Sequence, residues 1–293
     1  MGDLVSNLFK TKAIKACEEN NPFWLTSGKI GVYFINAEFL YGSGEDSAKL
    51  LTAVDEGLVD HEALPKKIFD QVLNQYNTNE IYKNVIDTLI ETINKNIGAG
   101  EIDYISGGER RDWIYSNILA YLLKKPHITI FKDLSILESN SDFTITKQVE
   151  SLEGKKVLHV SDLITEAASY INMWIPCIEG LGGKILWTVT IVDRMQGGAA
   201  KILEHGVATY PLVRVDKELF KTALENGSIT EEQYEMIDAY IDNPDDTMRD
   251  FLKSHLEFLR ESLKGEGKTL IRVNKCIEED IYGLGDLIKD IKE

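Results

Sequence analysis

Between residues 80 and 96, Ile81, Val85, Leu89 and Ile93 recur every fourth position, a period that predicts a helix with one buried face. Leu4, Leu8, Ile14 and Cys17 predict an earlier helix over residues 3–19, stopped by Asn20-Asn21-Pro22. Helices are also expected near residues 47–56 and 64–74, and residues 30–39, rich in Val, Tyr, Phe and Ile, predict a strand. Beyond residue 100 the period switches repeatedly between strand and helix. Strands are expected at 102–106, 127–131, 157–160, 184–192 and 208–213, with helices at 113–123, 166–179 and around Lys201. Gly107-Gly108 reads as a turn, 133–142 as polar and irregular, and 143–149 as an exposed strand.

This alternation predicts an α/β fold with a central, mostly parallel sheet flanked by helices. In such sheets ligands sit beyond the carboxyl ends of the strands. The segments to inspect are therefore 107–113, 132–142, 161–169 and 193–198. After Val215 the chain turns helical and acidic, with helices expected at 218–225, 230–240 and 246–264 around a break at Asn243-Pro244. A short strand at 269–273 and a helix near 281–291 complete the reading.

The chain has 293 residues and a net charge of -16, with no basic run to offset it. Such a surface repels nucleic-acid phosphates and leaves only a local basic pocket for a phosphate ligand. Three scattered cysteines, Cys17, Cys177 and Cys276, form no C-x-x-C pair, so free thiols in a reducing cytoplasm are expected. No apolar run suggests a signal peptide or a membrane span, and no membrane partner is expected.

Four separated segments then carry a resemblance. They are Ser27-Gly28-Lys29-Ile30-Gly31-Val32-Tyr33-Phe34-Ile35-Asn36-Ala37; Gly107-Gly108-Glu109-Arg110-Arg111 with Trp113 and Ala120-Tyr121; Val157 to Ser169; and Val192-Asp193-Arg194-Met195-Gln196-Gly197-Gly198. In order and spacing they resemble the type I phosphoribosyltransferases, and orotate phosphoribosyltransferase in particular. The resemblance covers roughly residues 23–213. It implies an N-terminal hood within a domain of residues 1–215, followed by a helical C-terminal extension over 216–293. It implies a cytoplasmic homodimer in pyrimidine nucleotide metabolism, with Mg²⁺ accompanying PRPP as the phosphoribosyl donor and orotate or a related base as acceptor.

The resemblance also assigns roles. Asp162 and Lys132 would be catalytic, with Mg²⁺ near Asp162. Gly107, Gly108, Glu109, Arg111, Ser161, Asp162, Thr165 and Ser169 would hold PRPP and its phosphates, and Phe34, Ile35 and Arg194 the base. The chain departs from the pattern at several of these positions. Ser161 stands at the first signature acid, Ala167 at a glycine, Asp112 at another glycine, and Thr26 at a base-contacting lysine. The family's basic catalytic loop is replaced by Lys132-Asp133-Leu134-Ser135-Ile136-Leu137-Glu138, where Lys132 alone fits. These losses motivate an alternative, a non-catalytic relative that binds a nucleotide, a sugar phosphate or a protein partner. His127 and His159, inside expected strands, are expected to be packed core residues.

Overall fold

The amino-terminal helix is shorter than its apolar spacing predicts. In a computed structural model describing residues 2–18 and 20–285, α1 (Gly2–Lys10) ends where Lys12 takes a left-handed φ of 60°. The chain then extends into β1 (Ile14–Ala16), because β-branched Ile14 pairs antiparallel with Ile35. The expected single strand at 30–39 is likewise divided. β2 (Phe23–Trp24) pairs with β3 (Ile30–Gly31), and β4 (Tyr33–Ile35) pairs with β1. A 3₁₀ turn, Ala37–Tyr41, follows.

Three helices come next: α2 (Gly44–Gly57), α3 (Leu64–Thr78) and α4 (Glu80–Asn96). Ser43 and Asn79 cap the first and last through their side chains, each satisfying one orphan N–H. Val85, Ile86, Leu89 and Ile93 of α4 are fully buried.

The central sheet begins at β5 (Tyr104–Gly108). Gly107 and Gly108 therefore close a strand rather than turn the chain. α5 (Trp113–Leu122) leads to β6 (His127–Ile130). Residues 133–142, expected to be irregular, contain β7 (Ile136–Ser139), which folds back antiparallel on β6 and carries β8 (Thr146–Gln148) at the sheet edge. β9 (Lys156–Ile164) then enters the sheet on the other side of β5.

The helix expected at 166–179 starts later, as a π turn over Tyr170–Trp174 running into α6 (Ile175–Glu179). β10 (Lys184–Asp193), α7 (Gly198–Glu204) and β11 (Ala208–Arg214) finish the seven-stranded sheet, ordered β11-β10-β9-β5-β6-β7-β8. The five strands from β11 to β6 are parallel. The expected mostly parallel sheet with flanking helices is thus observed.

Beyond the sheet lie α8 (Lys217–Glu225), α9 (Glu231–Asp242), α10 (Pro244–Ser254), α11 (Leu256–Leu263) and α12 (Gly267–Glu278). The helix expected at 246–264 is broken at His255, whose φ is -129° and whose ring stacks on Phe251. The short strand expected at 269–273 is helical, because Val273 and Cys276 bury on one face three residues apart. The helix expected near 281–291 falls from residue 286 onward outside the described residues. No helix among the described residues is long and apolar enough to cross a membrane.

Candidate functional site at the switch point

β5 is followed in the chain by β6 on one side, whereas β9 joins it on the other. The loops leaving β5 and β9 therefore diverge, and the crevice between them is the topological switch point where open α/β sheets bind ligands. Residues 109–112 and 165–169 rim it.

Gly107 and Gly108 are buried and have no room for a side chain. A Cβ on Gly107 would collide with Ser116 Oγ, and one on Gly108 with the Trp174 indole. The Gly108 N–H donates to Asp112 Oδ2 at 3.0 Å, and the Asp162 N–H donates to Asp112 Oδ1 at 3.0 Å. Asp112, at a family glycine, is buried and ties the end of β5 to β9. His159 Nε2 lies 3.6 Å from Asp112 Oδ2, and His159 Nδ1 meets Ser106 Oγ at 2.9 Å. His159 also stacks on Trp174. Both His159 and His127 are fully buried, and burial pushes His127 down to about 3.

Arg110, Arg111 and Lys132, the cations expected to face pyrophosphate, are each paired with a carboxylate of the chain itself. Arg110 pairs with Asp55 of α2. Arg111 Nη2 is 3.0 Å from Glu38 Oε1, and Glu38 is buried. The Lys132 N–H donates to Glu109 Oε2 at 3.0 Å, and its ammonium lies 3.5 Å from Oε1.

The two residues at the acid positions of β9 face opposite sides, as successive strand residues must. Ser161 is buried behind the sheet, where it accepts a hydrogen bond from the Tyr170 hydroxyl at 2.7 Å. It does not share the crevice expected for it, because the Tyr170 and Thr188 hydroxyls complete a polar cluster on that face. Asp162 lies beside Asp112, Arg111 and Glu38. Burial first, then the Asp112 carboxylate, push its carboxyl well above the usual carboxylate range, with Arg111 acting the other way.

The loop after β9 keeps the conformation a glycine would favour. Ala167 has a left-handed φ of 63° and is buried. The Thr165 carbonyl accepts the Gly198 N–H at 2.9 Å, so close that a Cβ on Gly198 would strike it. Ser169 precedes the π turn and makes no capping bond to it.

Arg194 follows β10, with its backbone N–H bonded to the Ile164 carbonyl at 2.9 Å. Its charge acts on Tyr33 and Tyr240, whose rings meet edge-on at 5.8 Å. Burial and Tyr240 nevertheless push Tyr33 up to about 12. On β4, Tyr33 rather than Phe34 is thus the ring beside Arg194. Phe34 turns the other way, against Phe23 at 4.9 Å, and Ile35 is core. Against expectation, Phe34 therefore lies on the face of β4 opposite Tyr33, while Ile35 shares Tyr33's face but packs into the core.

The side chains present do not build a protein-held magnesium site. Ser161 points away, the Asp162 carboxyl is driven toward its neutral form, and no group of three or more ligating side chains occurs among the described residues. Glu38, Trp174, Tyr33 and Tyr240 escaped the sequence reading. Only Tyr33 carried a signal, since it adjoins Phe34 in a matched segment and strand alternation allows either ring to face the site.

No protein-family model matches the sequence. An adenine phosphoribosyltransferase of Brachyspira hyodysenteriae is 27% identical over 153 residues, covering 48% of this chain and 86% of that protein. An orotate phosphoribosyltransferase of Methanosphaera stadtmanae is 27% identical over 135 residues, covering 45% of this chain and 72% of that protein. The structure of Leishmania donovani UMP synthase superposes with a TM-score of 0.53 at 15% identity, covering 82% of this chain but only 42% of that longer one. With the switch-point crevice and the mostly parallel sheet, these likenesses establish that the chain has the type I phosphoribosyltransferase fold and is related in sequence to adenine and orotate phosphoribosyltransferases.

Proposed function

We propose that the chain binds a phosphoribosylated ligand, a nucleoside monophosphate or sugar phosphate, at the switch-point crevice, and transfers phosphoribosyl groups poorly or not at all. One observation carries this reading. Arg110, Arg111 and Lys132, the cations flanking the expected pyrophosphate position, are each engaged by a carboxylate: Asp55, Glu38 and Glu109. Departing pyrophosphate must have its growing negative charge neutralised, and cations already paired with carboxylates do this weakly. The left-handed Ala167 supports retention of the phosphate loop. In this reading Gly107, Gly108, Thr165 and Ser169 offer backbone and hydroxyl groups to phosphate, and Asp162 faces the ribose.

A second reading is an active transferase acting on PRPP with orotate or a related acidic base, in pyrimidine biosynthesis in the cytoplasm, with Mg²⁺ carried by PRPP. Arg194 favours it, because no carboxylate among the described residues pairs with that guanidinium. Either reading carries the homodimer of the family and the division into residues 1–215 and 216–293. Light scattering at micromolar concentration tests the former, and limited proteolysis the latter.

The decisive experiment combines calorimetry with turnover. UMP and PRPP are titrated into the chain, and pyrophosphate release is followed with Mg²⁺, PRPP and orotate, with Asp162→Asn as control. Binding without release supports the binder. Release that Asp162→Asn abolishes overturns it in favour of the transferase, and absence of both overturns both.

A further inference from the structure

A second cleft, of about 630 Å³, lies between the hood and the C-terminal extension. Its lining comes from residues 21–26, Phe34 and Asn36 on one side, and from α11 and α12 on the other. No strand end of the seven-stranded sheet contributes to it. Its volume falls within the range of small-molecule sites.

The walls are firmly held. Trp24 is buried, its indole N–H donates to Ser262 Oγ at 2.9 Å, and its ring stacks on Phe258 at 5.6 Å. Phe34 is half-buried and presents the ring that the switch-point crevice does not use.

Charge singles the cleft out. The chain carries 48 acidic residues against 32 basic ones, yet among the described residues no acid lines this cleft, and the one ionic side chain lining it is Arg272. Arg272 Nη1 donates to the Trp24 carbonyl at 2.7 Å, and Nη2 lies 3.4 Å from Thr26 Oγ1. Those two contacts fix the guanidinium plane and leave N–H donors for a further acceptor. No carboxylate among the described residues neutralises it. In so acidic a protein, a positioned arginine with no carboxylate partner among the described residues, in a cleft also lined by Phe34, is a recognition element for an anion.

We infer that this cleft is a binding site for a flat ring bearing one anionic group, with Arg272 gripping the anion and Phe34 forming the wall against the ring. The choice of a pyrimidine as the ring rests on the proposed function above; the cleft and its charge do not. Carboxylate and phosphate present the same chemistry to a guanidinium, and three probes separate them: orotate carries a carboxylate, UMP a phosphate, and uracil neither.

Each probe is titrated calorimetrically into the full-length chain, into Arg272→Gln, and into Thr26→Glu. Arg272→Gln removes the charge, and Thr26→Glu sets a carboxylate beside Arg272 without cutting its bond to Trp24. Both variants are expected to weaken orotate, UMP or both by about tenfold or more while leaving any uracil affinity unchanged. Arg272→Lys is expected to recover part of the loss. Should Arg272→Gln fail to fold, Thr26→Glu gives the same reading. Anion affinity unmoved by both variants, or no binding of any probe, overturns the inference. PRPP binding that depends on Asp162 but not on Arg272 would leave the proposed function standing while this site fails or holds by itself.

Discussion

The Lys132 ammonium lies 3.5 Å from a Glu109 oxygen, and the other oxygen of that carboxylate accepts the Lys132 backbone N–H at 3.0 Å. Lys132 is well exposed, while the Glu109 side chain is only 8% exposed. The carboxylate is therefore the fixed member, and it both positions the start of the 132–135 turn and neutralises the one basic group left there. Glu109→Gln keeps a hydrogen-bond acceptor for the backbone N–H and removes the charge. Affinity for inorganic pyrophosphate is expected to rise about threefold to tenfold at low salt, with the gain shrinking as salt screens it. Calorimetric titration at two ionic strengths checks this, and equal affinity in both proteins would show that Lys132 does not face the anion.

Gly108 and Trp174 form a second testable pair. A methyl group on Gly108 would lie inside the van der Waals surface of the Trp174 indole. Gly108→Ala is expected to cost about 1–3 kcal/mol of stability by overpacking. In a Trp174→Leu background the same substitution should cost little, because the obstructing ring is gone. Urea unfolding of the four proteins gives the coupling directly. Additive costs would mean that backbone strain at Gly108, rather than the indole, sets its identity.

Ala167 provides a test of the phosphate loop. Its left-handed φ of 63° costs about 1–2 kcal/mol for a residue with a Cβ, but its methyl is buried, which returns about 0.8 kcal/mol. Ala167→Gly relieves one term and loses the other, and so is expected to lie within about 0.5 kcal/mol of the parent. Ala167→Val adds a β-branched side chain in a forbidden region and is expected to cost about 2 kcal/mol or more. Similar thermal midpoints for the Val variant and the parent would show that the loop relaxes out of this conformation.

The sheet was legible because its strands are apolar runs punctuated by glycine and charge. Val157 to Val160 and Lys184 to Val192 could be placed without tertiary knowledge, and the switch point follows from their order. The crevice was legible only in part. Alternation along β9 should have put Ser161 and Asp162 on opposite faces, and the motif resemblance hid that simple rule. Trp174 against Gly108 and Glu38 against Arg111 bring together residues about seventy apart in sequence, and no local pattern encodes such contacts. A short strand was expected at 269–273, yet burial of Val273 and Cys276 on one face made it a helix. Arg272 consequently points into a cleft that sequence inspection could not foresee.

Asp162 links the crevice to stability through pH. Its carboxyl is held well above the ordinary aspartate value of 3.8, by burial first and by Asp112 second. Below that value both folded and unfolded chains hold the proton, and the group contributes no pH dependence. As pH rises past 3.8 the unfolded chain releases its proton while the folded chain retains it, so stability falls until pH reaches the raised folded-state value. The slope is up to about 1.4 kcal/mol per pH unit across that window. Asp162→Asn mimics the protonated form and removes the dependence. Its stability relative to the parent is therefore expected to be near parity at about pH 4, to increase toward neutral pH, and then to level off. Urea unfolding of both proteins at several pH values supplies the measurement. A difference that stays flat, or that narrows as pH rises, would mean that Arg111 outweighs burial and Asp112 and keeps this carboxylate ionised, leaving a negative charge in the crevice where the proposed ligand's ribose would sit.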